Sequence, residues 1–254
     1  MIENTLIVVG PGSVGKSPLD ALFKVDIKID PYRLRSNGPR DSNDIFYAHP
    51  KLWDEFYSVL RDLGDEPETI GPVKWFPNSK VLFFKVRDDC QLLILKGLKG
   101  KTAKAEIYAP ILPAILSIPD IHSILGKVRI VVLSPASQSV AVMQNWRELE
   151  GKTRYNCEQR GDDSKSVEKR VKSVDEEAPA WKELIKSHRA MEYCDWQFPE
   201  YLYKRPGSSG VSMVEHQKQI LLKARQCLLE ANSDLRVFFK TKDEIEQIRE
   251  SFVK

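Results

Sequence analysis

No run of apolar residues in this 254-residue chain approaches the roughly 20 needed to cross a bilayer. The stretch 107–118 is broken by Pro110 and Pro113, and the apolar run at the amino end is too short, with no basic residues before it, for a signal peptide. These absences predict a soluble, cytoplasmic protein with no membrane partner. Cysteine is scarce as well: Cys90, Cys157, Cys194 and Cys227 lie far apart, without a Cys-x-x-Cys pair or a nearby histidine, which argues against zinc and for reduced thiols. His49, His122, His188 and His216 are scattered, so histidine-based catalysis has no support. Net charge is small: 39 Lys and Arg against 36 Asp and Glu leave +3, and no global field points to nucleic acid. An anion site must come from local cations. Neither Asn-Lys-x-Asp nor Asp-x-x-Gly occurs, so the motifs of a GTPase switch are missing. No internal repeat and no low-complexity tail is found.

What the chain does have is 42% apolar residues, enough for one large α/β domain or one domain with sizeable insertions, and one specific motif. The run Leu6-Ile7-Val8-Val9 leads into Gly10-Pro11-Gly12-Ser13-Val14-Gly15-Lys16-Ser17. This is Gly-x-x-x-x-Gly-Lys-Ser after a strand and before a helix, the phosphate-binding loop in the setting its physics requires. Glycines let successive backbone N–H groups face inward, and the following helix adds its positive end. Lys16 then reaches the outer phosphates of a nucleoside triphosphate, and the Ser17 hydroxyl takes a Mg²⁺ position. Pro18 follows, in the first helical turn, where its missing N–H costs nothing.

Along the chain, 18–23 predicts a short helix and 25–30 a strand by alternation. The turn-rich stretch 32–41, with Arg33, Arg35 and Arg40, reads as a basic surface loop, and 43–48 as a strand. A helix is expected over 50–63, with Leu52, Trp53, Phe56, Val59 and Leu60 turned to the core, then a Pro- and Gly-punctuated connection over 66–77. Strands over 81–86 and 91–95 join at an Asp88-Asp89 turn. The lysine-rich 96–104 reads as a solvated loop and 128–133 as a buried strand. Residues 138–186 read as helical and charged, with interruptions at Gly151 and Gly161. Further on come a strand over 195–203, a helix over 214–231, a strand over 234–239 and an amphipathic helix over 242–253.

Three patches resemble the guanylate kinase family of P-loop nucleoside monophosphate kinases. The first is the loop itself, close to that family's Gly-Pro-Ser-Gly-Val-Gly-Lys-Ser. The second is Pro39-Arg40 followed by Asp44-Ile45-Phe46-Tyr47, similar to the Pro-Arg and Asp-Tyr-x-Phe elements of the acceptor region. The third is Ser134-Pro135 at a strand end, then Arg160-Gly161-Asp162-Asp163-Ser164 and Lys169-Arg170-Val171 running into Asp175-Glu176-Glu177, which resembles the lid. Pro31-Tyr32-Arg33-Leu34-Arg35 stands where the family carries Ser-x-Thr-Thr-Arg.

The resemblance implies an α/β fold: a P-loop NTPase three-layer sandwich with a central, mostly parallel sheet, an acceptor-binding insertion and a helical lid. Its parts would be a core over 1–30, 81–135 and 190–232, an insertion over 31–80, a lid over 136–189 and an added segment over 233–254. It implies ATP as phosphoryl donor, Mg²⁺ as cofactor and small-molecule nucleotides as partners. Lys16 with lid arginines from Arg154, Arg160 and Arg170 would neutralise the transferring phosphoryl group. Arg35, Arg40 and Tyr47 would hold the acceptor phosphate. Where the family has an Asp-rich strand end that helps hold Mg²⁺ and the acceptor, Glu106 is the substitute by order, with Asp30 second. The residues leave two other readings open: a P-loop kinase acting on a phosphosugar or similar ester, and a nucleotide binder without catalysis.

Overall fold

The computed structural model describes residues 1–10, 19–34, 47–48, 51–86, 89–133, 146–159, 162–188, 190–193 and 213–249, some of them by backbone alone. The architecture is α/β. One sheet has five strands, in the order β11-β10-β1-β9-β2: β1 (Ile2–Val9), β2 (Ile27–Ile29), β9 (Gly100–Glu106), β10 (Lys127–Leu133) and β11 (Met191–Tyr193). The pairs β2–β9 and β10–β11 are parallel. Leu6, Ile7, Val8 and Val9 are 0 to 1% exposed, so β1 is covered on both faces, which is why it reads as a continuous apolar run. The other sheet has six strands, ordered β4-β3-β8-β7-β6-β5: β3 (Tyr32–Leu34), β4 (Tyr47–Ala48), β5 (Glu68–Ile70), β6 (Val73–Phe76), β7 (Val81–Val86) and β8 (Asp89–Ile94). All its pairings are antiparallel except β3 with β4.

By backbone contacts the chain forms two compact units. The first, Met1–Thr5 with Asp26–Val128, contains the six-stranded sheet. Helix α1 (Lys51–Asp62) lies on one face of that sheet, with Phe56, Tyr57 and Leu60 against Phe76, Val81, Phe83 and Leu92. The Tyr57 ring meets Phe76 edge-on at 5.2 Å between centroids, and Lys74 Nζ sits 5.0 Å from the Tyr57 centroid. Val59, expected in the buried stripe, is 51% exposed because the contact face runs through Phe56 and Leu60; the side chains of Leu52 and Trp53 lie outside the described set. A 3₁₀ turn (Ala109–Ile111) and the short helix α2 (Leu112–Leu116) occupy the stretch that Pro110 and Pro113 had marked as broken, and α3 (Ile121–Leu125) follows.

Three expectations in this unit are corrected. The basic stretch starting at Tyr32 opens as β3, in register with β8. The connection 66–77 is a hairpin: Gly71, at φ +54°, makes the turn, and Val73, Trp75 and Phe76 are buried. The lysine-rich loop becomes β9 at Gly100, since the Asp26 carboxylate accepts the backbone N–H groups of Lys101 (2.8 Å) and Thr102 (3.0 Å) and fixes the strand start. Those backbone donors hold the Asp26 carboxyl below its ordinary value. The strands over 81–94 pair inside the second sheet.

The second unit is Leu6–Val25 with Arg129–Lys254. It holds α4 (Trp146–Gln159), α5 (Ser164–Ser187), α6 (Met213–Ala231) and α7 (Lys242–Glu246). Helix α4 runs straight through Gly151, where a Cβ would meet open space. Asp163 caps α5, its carboxylate accepting from Ser166 N at 3.0 Å. The expected strand over 195–203 lies outside the described residues. The expected strand over 234–239 is instead a 3₁₀ turn (Ser233–Phe238), because the Asn232 side chain caps Asp234 N at 2.9 Å and turns the chain. The last helix is five residues long and stops at Glu246. Leu235, Phe238, Phe239 and Ile245 pack with Leu6, Val8, Leu22, Leu133, Ala224 and Leu228, so this carboxyl-terminal segment belongs to the unit's core. Among the described residues, no helix is long and apolar enough to cross a membrane.

Candidate functional site

The start of the phosphate-loop pattern is visible at Gly10. Its φ is +152°, and a Cβ placed there would stand 2.6 Å from the carbonyl oxygen of Leu133, the last residue of β10. Both facts demand glycine: the dihedral is one that side chains rarely adopt, and the close approach leaves no room for a methyl group. Pro11, Gly12, Ser13, Val14, Gly15, Lys16 and Ser17 lie outside the described residues. The chain is described again at Leu19, which is 1% exposed and has helical dihedrals (φ −66°, ψ −19°). The pattern is therefore bracketed by a buried strand whose end requires glycine and by a buried helical residue.

Of the arginines expected in a lid, Arg160 lies outside the described residues, while Arg154 sits on α4 and Arg170 on α5. Arg154 forms a two-pronged pair with Glu168 of α5, Nη1 to Oε1 at 2.5 Å and Nη2 to Oε2 at 3.1 Å. The fork raises the Arg154 pKa further above its ordinary value and holds the Glu168 carboxyl below its own. Arg170 Nε lies 3.0 Å from an oxygen of Asp162, just before the α5 cap. Both guanidinium groups are thus engaged with carboxylates and remain partly open, with 41% of the Arg154 side chain and 36% of the Arg170 side chain exposed. Such geometry can hand a planar pair of donors from a carboxylate to a phosphate.

On the acceptor side, Arg35 and Arg40 lie outside the described residues. Tyr47 opens β4, in register with Arg33 of β3. Glu106 is the last residue of β9, and Asp30 follows β2. Since Ile29 pairs with Ala105, Asp30 and Glu106 fall at the next position of the same parallel register, at two neighbouring carboxyl ends. The structure brings these two candidates together. Ligands of open parallel sheets sit outside such strand ends. Among the described residues no group of three or more His, Cys, Asp and Glu side chains is gathered to hold a metal ion. A Mg²⁺ carried by a triphosphate keeps several waters and needs only one or two protein oxygens, a demand that the donor types at Ser17 and Asp30 meet.

Reading the sequence missed the partner of Glu106. Lys104 Nζ lies 3.2 Å from Glu106 Oε1, and the lysine side chain is 4% exposed. The signal was present as the alternation Thr102-Ala103-Lys104-Ala105-Glu106, which marks a strand with Lys104 and Glu106 on one side. Glu168, as the partner of Arg154, carried no comparable signal, because that pairing depends on how α4 meets α5.

No protein-family model matches the chain, and no curated protein matches it in sequence. Among solved structures, it is similar to the crystal structure of guanylate kinase from Anaplasma phagocytophilum, at 14% sequence identity and a TM-score of 0.40, over 91% of this chain and 95% of that one.

Proposed function

We propose that the chain transfers the terminal phosphoryl group of ATP to a nucleoside monophosphate, on a three-layer P-loop core with an acceptor-binding insertion and a helical lid. The observation that carries this reading is the Gly10-to-Ser17 pattern standing directly after a buried strand whose last turn accepts only glycine. The strand order β11-β10-β1-β9-β2, with β1 in the middle, supports it as well.

In this reading Lys16 and the loop amides bind the triphosphate. Ser17 and Asp30 are the residues to hold Mg²⁺, which when bound offsets phosphate charge. Arg154, Arg160 and Arg170 meet the phosphoryl oxygens as the lid closes, and closure excludes water. For Arg154 the step is an exchange of partners, Glu168 giving up its two guanidinium contacts to phosphate oxygens. Arg35, Arg40 and Tyr47 hold the acceptor phosphate, and Glu106 accepts hydrogen bonds from the acceptor. No covalent work by the protein is needed, because the transition state is loose and its charge lies on phosphoryl oxygens.

Lys16→Met tests the scheme. ADP release with a panel of nucleoside monophosphates and phosphosugars should fall by about 100-fold or more, the scale of losing one charge-stabilising donor. The unfolding transition should stay in place. A rate indifferent to this substitution would end the reading, and the acceptor preferred by the wild type names the substrate.

A further inference from the structure

Strand β9 buries a charged lysine. Thr102, Ala103, Lys104 and Ala105 are all buried, and Lys104 reaches Glu106 Oε1 at 3.2 Å while the Glu106 side chain stays 31% exposed. Holding an ammonium in the interior costs free energy, and a methionine of similar length would fill the same space without that cost. The register adds a reason for the charge. Asp30 and Glu106 occupy neighbouring strand ends, with Lys28 aligned to Lys104 one step inward, so two carboxylates stand at adjacent positions. Their repulsion is offset by a cation fixed on the inner side, and 31% of the Glu106 side chain stays exposed.

We propose that Lys104 is a positioning residue: its buried ammonium anchors the Glu106 carboxylate at the end of β9 as a hydrogen-bond acceptor for hydroxyl or amino groups of the phosphate acceptor. The proposal rests on the phosphotransfer reading for what the carboxylate serves. A carboxylate already compensated by an ammonium is a poor ligand for another cation, so the group it meets is a neutral donor. The residues concerned lie in the unit that also contains β3, β4 and the segment with Arg35 and Arg40.

The test compares full-length wild type with Lys104→Met, Lys104→Arg, Glu106→Gln and the Lys104→Met/Glu106→Gln double variant. Lys104→Met should still unfold in one cooperative transition and keep its affinity for a non-hydrolysable ATP analogue. Its acceptor KM should rise about tenfold, the scale of one charge-assisted hydrogen bond, with kcat within about threefold. Glu106→Gln should match it, the double variant should be no worse than either, and Lys104→Arg should restore most of the loss. An unchanged acceptor KM in Lys104→Met, or an equal loss of ATP-analogue affinity, overturns the proposal. A second readout separates it from the kinase reading: nucleoside monophosphate binding followed by calorimetry without ATP should weaken about tenfold in Lys104→Met and recover in Lys104→Arg. A wild type that binds the monophosphate without transferring phosphate ends the kinase reading and leaves the anchoring role standing, while an unchanged monophosphate affinity in Lys104→Met overturns the proposal whatever the activity.

Discussion

Gly10 bears two constraints at one atom: a positive φ of 152° and a carbonyl oxygen 2.6 Å from where a Cβ would sit. Alanine would meet both, and the β10 backbone it would push against is buried. Gly10→Ala should therefore lose about 2–3 kcal/mol of stability in urea unfolding followed by tryptophan fluorescence. An equally stable variant would show that β1 and β10 separate freely at this end. At this scale the sequence was most legible where the requirement is local. Gly10 belongs to a motif whose glycine is fixed by its own backbone, so the pattern finds it without knowing any neighbour. Lys104 was hidden because the run from Lys96 was read by its composition, and its burial depends on strands distant in sequence.

Elements with a strong apolar pattern, β10 and α6, follow their expected spans closely, because burial of one face or both writes its period into the chain. The hairpin of β5 and β6 was obscured by its own turn, Gly71-Pro72, which marks a break equally well in a loop. The partner of a strand is less legible still: nothing in Val81–Val86 tells whether it joins the parallel or the antiparallel sheet. Helix α7 owes its place to side chains rather than to length. Thr241 and Glu244 form a reciprocal cap, and Lys24 Nζ lies 2.6 Å from Glu244 Oε1, tying α7 to the segment after the first 3₁₀ turn (Asp20–Leu22). The Lys24 bond first, then the Thr241 bonds, lower the Glu244 carboxyl from 4.5 to about 2. A carboxyl lowered on folding stabilises the fold above its unfolded value, and that contribution is lost as pH falls from about 4.5 towards 2. Glu244→Gln should then be less stable than wild type at neutral pH, and the two melting temperatures should converge through this window. Parallel acid limbs in thermal unfolding would show that the carboxylate does not hold α7.

At the scale of the molecule, the candidates separate by chemistry. The segments Leu6–Val25 and Arg129–Lys254, which form one unit, contain the phosphate-loop pattern and the three arginines proposed for a lid. The stretch Asp26–Val128 of the other contains the acceptor candidates Arg35, Arg40, Tyr47 and Glu106, together with Asp30, the exception, which is proposed for Mg²⁺. Triphosphate and acceptor should therefore stabilise different parts of the chain, since a ligand raises the opening free energy of the unit it binds. Amide hydrogen exchange reads this directly, because it reports local opening segment by segment. A non-hydrolysable ATP analogue should slow exchange around β1 and in α4 and α5, the helices that carry Arg154 and Glu168, where guanidinium contacts would be traded for phosphate. A bound monophosphate should slow exchange in β3, β4 and the end of β9. Tyr47 and Glu106 lie far apart in sequence, so protection of both by one small acceptor could not come from a single mobile loop. Protection by the ATP analogue confined to Asp26–Val128 would reverse the assignment of donor and acceptor, and with it the roles given to Lys16 and Glu106.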